Sequence, residues 1–127
     1  MEPFVISADH RRTAIVGEGG TAVAGRGGLA IAGDHGTAVA GDQGSALAGY
    51  AGTASVGAYG KATVGPHGTA TAGPWGTAAA GEDGIIVFVY CDRHWRKRVS
   101  IAYVGENGIL ADTYYQCCRR GKITRRR

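Results

Sequence analysis

The chain has 127 residues, a mass of 13.0 kDa, 23 glycines, 3 prolines and a net charge of +4. That length holds one domain, or one short rod with a cap. Three prolines without a G-X-Y period exclude collagen, 19% charged residues are too few for charge-driven disorder, and no apolar run reaches the roughly 18–20 residues of a membrane helix.

The first stretch, MEPFVISADHRR, has an acidic second residue and no apolar core segment. It does not read as a secretory signal, and the expected location is cytoplasmic. Phe4, Val5 and Ile6 are expected to cover one end of whatever follows.

A repeat then dominates the chain. Glycines recur every eight residues from Gly17 to Gly81, and each is followed three residues later by another, from Gly20 to Gly84. These account for 18 of the 23 glycines. The unit is G-x-x-G followed by four residues such as Thr21-Ala22-Val23-Ala24, with Thr13-Ala14-Ile15-Val16 as a degenerate first copy. Eight residues are too few for a helical repeat, and each glycine inside a helix costs about 1 kcal/mol. The T-A-x-A stretch reads as a short strand with period two, and G-x-x-G as a tight corner where glycine supplies positive φ. Strand and corner in alternation give an all-β fold, a β-solenoid, over residues 1–84.

The faces follow from the columns. The sixth position of the unit is alanine from Ala14 to Ala78, then Ile86, and the eighth is alanine or valine until Phe88. Both should point inward. The fifth position includes Ser45 and Lys61, and a lysine cannot sit unpaired in a narrow core, so the fifth and seventh columns should face solvent. Every second unit starts with threonine at Thr21, Thr37, Thr53 and Thr69, while Thr13, Leu29, Ser45, Lys61 and Thr77 vary. Two distinct faces predict two octads per 16-residue coil. Five coils at about 4.8 Å make a rod roughly 24 Å long.

After Gly84 the composition changes. Ile85 to Tyr90 reads as an apolar strand, Asp92 to Arg98 as a polar loop, Val99 to Val104 as a second strand and Ile109 to Cys117 as a third, with Gly121 turning into a basic tail. Residues 85–127 are expected to form a small β cap. Charge divides between the parts, with a net of −3 over residues 1–84 and +7 over residues 85–127. A basic cap points to an acidic macromolecular surface or to nucleic acid. The candidates are Arg93, Arg96, Lys97, Arg98, Arg119, Arg120 and Lys122, with Arg125, Arg126 and Arg127 in the tail. Tyr90, Trp95, Tyr103, Tyr114 and Tyr115 interleave with them, as aromatics do in nucleic-acid grooves.

Further binding candidates lie on the rod. Tyr59 and Trp75 should share a corner column on adjacent coils, with Tyr50 on the opposite edge. Ile15, Leu29, Ile31 and Leu47 gather on one outward face and form a candidate self-association surface, which would make a homodimer. His35 and His67 should fall two coils apart in one column, about 9.6 Å, too far to share a metal. Cys91, Cys117 and Cys118 are an odd set, expected as thiols rather than zinc ligands. No nucleophile–base set or convergent carboxylate pair can be traced. The chain is therefore expected to be no enzyme and to need no cofactor or metal.

The octads around Thr69-Ala70-Thr71-Ala72-Gly73 and the turn Val104-Gly105-Glu106-Asn107-Gly108-Ile109 resemble a group of bacterial and phage-borne octapeptide-repeat proteins. The repeats alone resemble half of the 16-residue repeat of bacterial ice-nucleation proteins. The first resemblance implies a mobile-element setting and an intracellular location. The expectation is a non-catalytic binder that inhibits or modulates a host protein or ribonucleoprotein complex handling nucleic acid or defence, with no membrane. The alternatives are direct nucleic-acid binding through the cap and an ice-binding or purely structural solenoid. For ice binding, only Thr69-Ala70-Thr71 is a true T-x-T row.

Overall fold

The computed structural model describes residues 5–8, 13–92, 94–106, 109–117 and 123–125, with backbone alone for 5–8 and 125. Among these there are strands and no helix, so no helix is long and apolar enough to cross a membrane. Two sheets face each other and the chain crosses between them at every corner. The first holds β1 (Val5–Ala8), β3 (Thr21–Ala24), β5 (Thr37–Ala40), β7 (Thr53–Val56), β9 (Thr69–Ala72), β11 (Ile85–Cys91) and β12 (Lys97–Tyr103), in that order. The second holds β2 (Thr13–Ile15), β4 (Leu29–Ile31), β6 (Ser45–Ala48), β8 (Lys61–Val64), β10 (Thr77–Ala79), β13 (Tyr115–Cys117) and β14 (Ile123–Arg125). Thr21 pairs with Thr37, Thr37 with Thr53, Thr53 with Thr69 and Thr69 with Ile85, a constant step of 16 residues. The fold is a β-solenoid with two octads per coil.

Alternation decides what is inside. Ala14, Ala22, Ala30, Ala38, Ala46, Ala54, Ala62 and Ala70 have no exposed surface. Each methyl adds only about 0.8 kcal/mol on burial, so ladders of backbone hydrogen bonds carry much of the rod. The small side chains let the two sheets approach closely. At the cap the core widens to Ile86 and Phe88, the largest fully buried side chains, with Tyr115 and Cys117 packed in the same cluster.

The corners differ from the sequence expectation. In each G-x-x-G the last glycine donates to the carbonyl of the first, as Gly52 does to Gly49 at 3.1 Å. Positive φ falls on the third residue, where a type II turn requires it. Only at Gly19 and Gly27 is that residue glycine; elsewhere it is His35, Gln43, Ala51, Tyr59, His67, Trp75 or Asp83. The left-handed backbone aims each amide along the rod, so that Ala51 donates to Pro66 O at 2.8 Å and Tyr59 to Pro74 O at 3.0 Å. From Gly33 onward the frame glycines are needed for space instead. A Cβ on Gly52 would lie 2.7 Å from Ala48 Cβ and 2.9 Å from Gly36 O.

The ends also depart from expectation. The rod begins one strand before Thr13, because β1 pairs in parallel with β3 and places Val5 beside Thr21. Lys97 and Arg98 lie in β12 rather than in the preceding loop. The third cap strand is only Tyr115–Cys117, and the expected tail contains β14, antiparallel to β13. Residues 109–114 fold back over the second sheet: Asp112 donates to Ala80 O at 2.8 Å, and the Tyr114 ring lies under Lys61 Nζ at 4.1 Å. Thr77 and Ala79, expected to face solvent, are therefore buried.

Candidate interaction edge

The rod has two long edges. Corners leading from the second sheet to the first carry Glu18, Asp34, Tyr50, Glu82 and Asp83. There Tyr50 stacks edge-on between His35 and His67, with ring centroids 6.0 and 5.4 Å away. Tyr50 is thereby separated from the other candidate aromatics. Among the described corner residues of its edge there are acids and no lysine or arginine.

The opposite edge carries Tyr59 and Trp75, 63% and 51% exposed, one coil apart. Continuing by 16 residues from Trp75 leads to Cys91, the last residue of β11. Earlier strands of this sheet stop after four residues, whereas β11 runs on for seven. The β11–β12 hairpin therefore projects at the end of this edge. Its tip holds Trp95, 77% exposed and again at positive φ (60°). Three bulky aromatics thus occupy left-handed positions along one edge. Each costs roughly 1–2 kcal/mol relative to an unstrained backbone.

Asp92 organises the hairpin tip. Its Oδ1 accepts the His94 amide at 2.8 Å and the Arg96 amide at 3.0 Å, and its Oδ2 accepts Arg98 Nε at 3.0 Å. Arg96 Nε stands 3.9 Å from the same oxygen. The Arg96 amide first, and then the Arg98 guanidinium, pull the Asp92 carboxyl down to about 2. Composition and charge counting overlook this role: Asp92 appears only as one of few acids in a basic segment. The aspartate also offsets part of the positive charge, so the tip is less basic than its arginines alone imply.

The site residues sort as follows. Arg96, Lys97, Arg98 and Trp95 come together at the tip, all exposed. Val99, Ile101 and Tyr103 extend the surface along β12, with exposures of 58%, 52% and 49%. Beside Trp75, a cleft of about 160 Å³ is lined by Gln116, Cys117 and Thr124. Cys117 pairs with Ile123 at this edge. Arg93, Arg119, Arg120 and Lys122 lie outside the described residues, as do Cys118, Arg126 and Arg127. Tyr115 points into the core and Tyr114 packs on Lys61 and Thr63, so neither belongs to an open groove. Ile15, Ile31 and Leu47 stand in register on the outer face of the second sheet, with Leu29 in the neighbouring column. Among the described residues no three His, Cys, Asp or Glu side chains gather to hold a metal. No family model, curated protein or solved structure matches this chain.

Proposed function

We propose that this protein is a non-catalytic binding module that docks on another macromolecule through the Tyr59–Trp75 edge and the β11–β12 hairpin tip. The observation that carries this reading is the row of Tyr59, Trp75 and Trp95, exposed at positive φ beside Arg96, Lys97 and Arg98. Aromatics and arginine dominate the energetics of protein interfaces, and these three aromatics keep half or more of their surface open to solvent. The partner is a host protein or ribonucleoprotein complex with an acidic, partly apolar surface. The rod holds the docking edge rigid. In this reading the protein works in the cytoplasm as an inhibitor or modulator of nucleic-acid handling or defence, a setting supported by the octapeptide-repeat resemblance. A protein partner is favoured over bare nucleic acid because Asp92 already engages Arg98 and because Val99, Ile101 and Tyr103 continue the surface with apolar groups.

Affinity capture from nuclease-treated bacterial lysate tests the proposal. Wild type is compared with Tyr59→Ala/Trp75→Ala and with Arg96→Glu/Lys97→Glu. A partner retained by wild type and lost by both variants is the expected result. Capture that ignores both variants overturns the docking edge. Binding that vanishes with nuclease and falls steeply with salt reassigns the edge to nucleic acid.

A further inference from the structure

β12 is the last strand of the first sheet, and among the described residues nothing pairs with its outer edge. Its register with β11 runs unbroken over seven pairs, from Ile85–Tyr103 to Cys91–Lys97. The strand contains no proline or bulge, and the charges that blunt an edge, Lys97 and Arg98, are confined to its first two residues. Its outward row is Lys97, Val99, Ile101 and Tyr103, all exposed.

We propose that a second copy of the chain pairs with this edge, antiparallel about a two-fold axis at Ser100, joining two rods end to end. The occupant follows from the order of residues along the strand. A two-fold at Ser100 sets Val99 opposite the partner's Ile101, a β-branched pair of the kind that stabilises antiparallel strands. It sets Lys97 opposite the partner's Tyr103. The chain already uses that pairing internally, where Lys61 Nζ lies 4.1 Å from the Tyr114 ring centroid.

The charges at the two ends of β12 are complementary. The start of the strand joins the basic tip at Arg96, Lys97 and Arg98. The far end leads into Glu106, and Tyr103 is paired with Ile85, directly after the Glu82–Asp83 corner. Along β12 itself, antiparallel self-pairing brings basic start to acidic end twice and sets no two like charges directly opposite each other. The same axis, normal to both sheets, turns the β14 end of one rod toward the β14 end of the other. Tyr59 and Trp75 lie on earlier coils and stay clear of this junction, whereas Lys97, Val99, Ile101 and Tyr103 belong both to it and to the proposed docking surface, so Tyr59→Ala/Trp75→Ala tests docking without touching the dimer.

Light scattering on the full chain reads the mass, and the expected result is a concentration-dependent shift to twice the 13.0 kDa chain. Ile101→Lys places new lysines diagonal to Lys97 and to each other across the axis, and should weaken the dimer about tenfold. Ser100→Cys gives a direct readout. Opposed residues of an antiparallel pair have Cα atoms about 4.5–5.5 Å apart, within the span of a disulfide. This variant should cross-link on mild oxidation and release on reduction, while wild type does not. Cross-linking decides the matter if Ile101→Lys fails to fold. A monomer at every concentration overturns the proposal. So does a dimer that resists Ile101→Lys, gives no Ser100→Cys cross-link and is lost with Ile31→Lys, since that dimer uses the outer face of the second sheet.

Discussion

Asp34 and Tyr50 are joined across one coil step, with Asp34 Oδ1 accepting the Tyr50 amide at 3.0 Å. On the opposite edge Asp42 accepts the Ala58 amide at 2.9 Å. One coil further along, the same positions are Pro66 and Pro74, which have no amide to satisfy. Each edge therefore handles its outermost N–H groups in two ways, first by an aspartate and then by removing the donor. Asp34→Ala and Asp42→Ala should each lower stability by about 0.5–1.5 kcal/mol, the worth of one hydrogen bond. Asp→Asn, which keeps the acceptor oxygen, should cost less. The two losses should add, since the edges share no partners. Urea denaturation of single and double variants measures this.

Ala51 sits at φ 54° with a side chain that reaches no recognition surface. Ala51→Gly should relieve roughly 1–2 kcal/mol of left-handed strain. It also loosens the unfolded chain by about 0.4–1 kcal/mol. The expected net is a gain of about 0.5–1 kcal/mol, read as a higher urea midpoint at unchanged m-value. A loss would mean that the left-handed corners carry no strain.

The alanine column is intolerant of size. Ala38 is fully buried between sheets, and Ala38→Val should overpack the rod and cost about 1–3 kcal/mol. The cap core responds in the other direction. Phe88 is 1% exposed, and Phe88→Ala should cost about 3–5 kcal/mol through the cavity it leaves. Thermal melts of both variants check the pair.

Asp92 links the hairpin tip to pH. Its carboxyl is held at about 2, below the ordinary 3.8. A lowered folded-state value stabilises above the unfolded pKa, so the contribution is present above about pH 4 and is lost as pH falls toward 2. Resonances of His94 and Trp95 should shift through that acid range in wild type. In Asp92→Ala they should already resemble the acid form at neutral pH. A wild-type transition at the ordinary carboxylate pH would refute the assignment.

Tyr114 pins residues 109–114 to the rod, through Thr63 Oγ1 at 3.1 Å and the ring under Lys61. Tyr114→Phe should cost about 0.5–1.5 kcal/mol, one hydrogen bond, and keep the cation–π contact. Tyr114→Ala should cost more and speed amide exchange of Asp112, which pairs with Ala80. Hydrogen exchange separates the two variants.

Period and parity were enough to determine the solenoid, its 16-residue coil and its alanine core. Side-chain direction in a strand repeats every two residues, and only alanine-sized groups fit between two close sheets, so the columns declare themselves. The aromatic pair Tyr59 and Trp75 was legible for the same reason. β1 escaped notice because no glycine frames Val5–Ala8, although Val5 lies 16 residues before Thr21. Glycine content also misdirected the reading of the corners, since composition does not distinguish a glycine needed for space from one needed for φ. Tertiary structure alone decided which aromatics share an edge with the basic tip, that Asp92 binds Arg98, and that residues 109–114 cover Thr77 and Ala79. Those outcomes depend on where a non-repeating chain returns to the rod. Contacts between residues far apart in sequence set that return, and no local period encodes them.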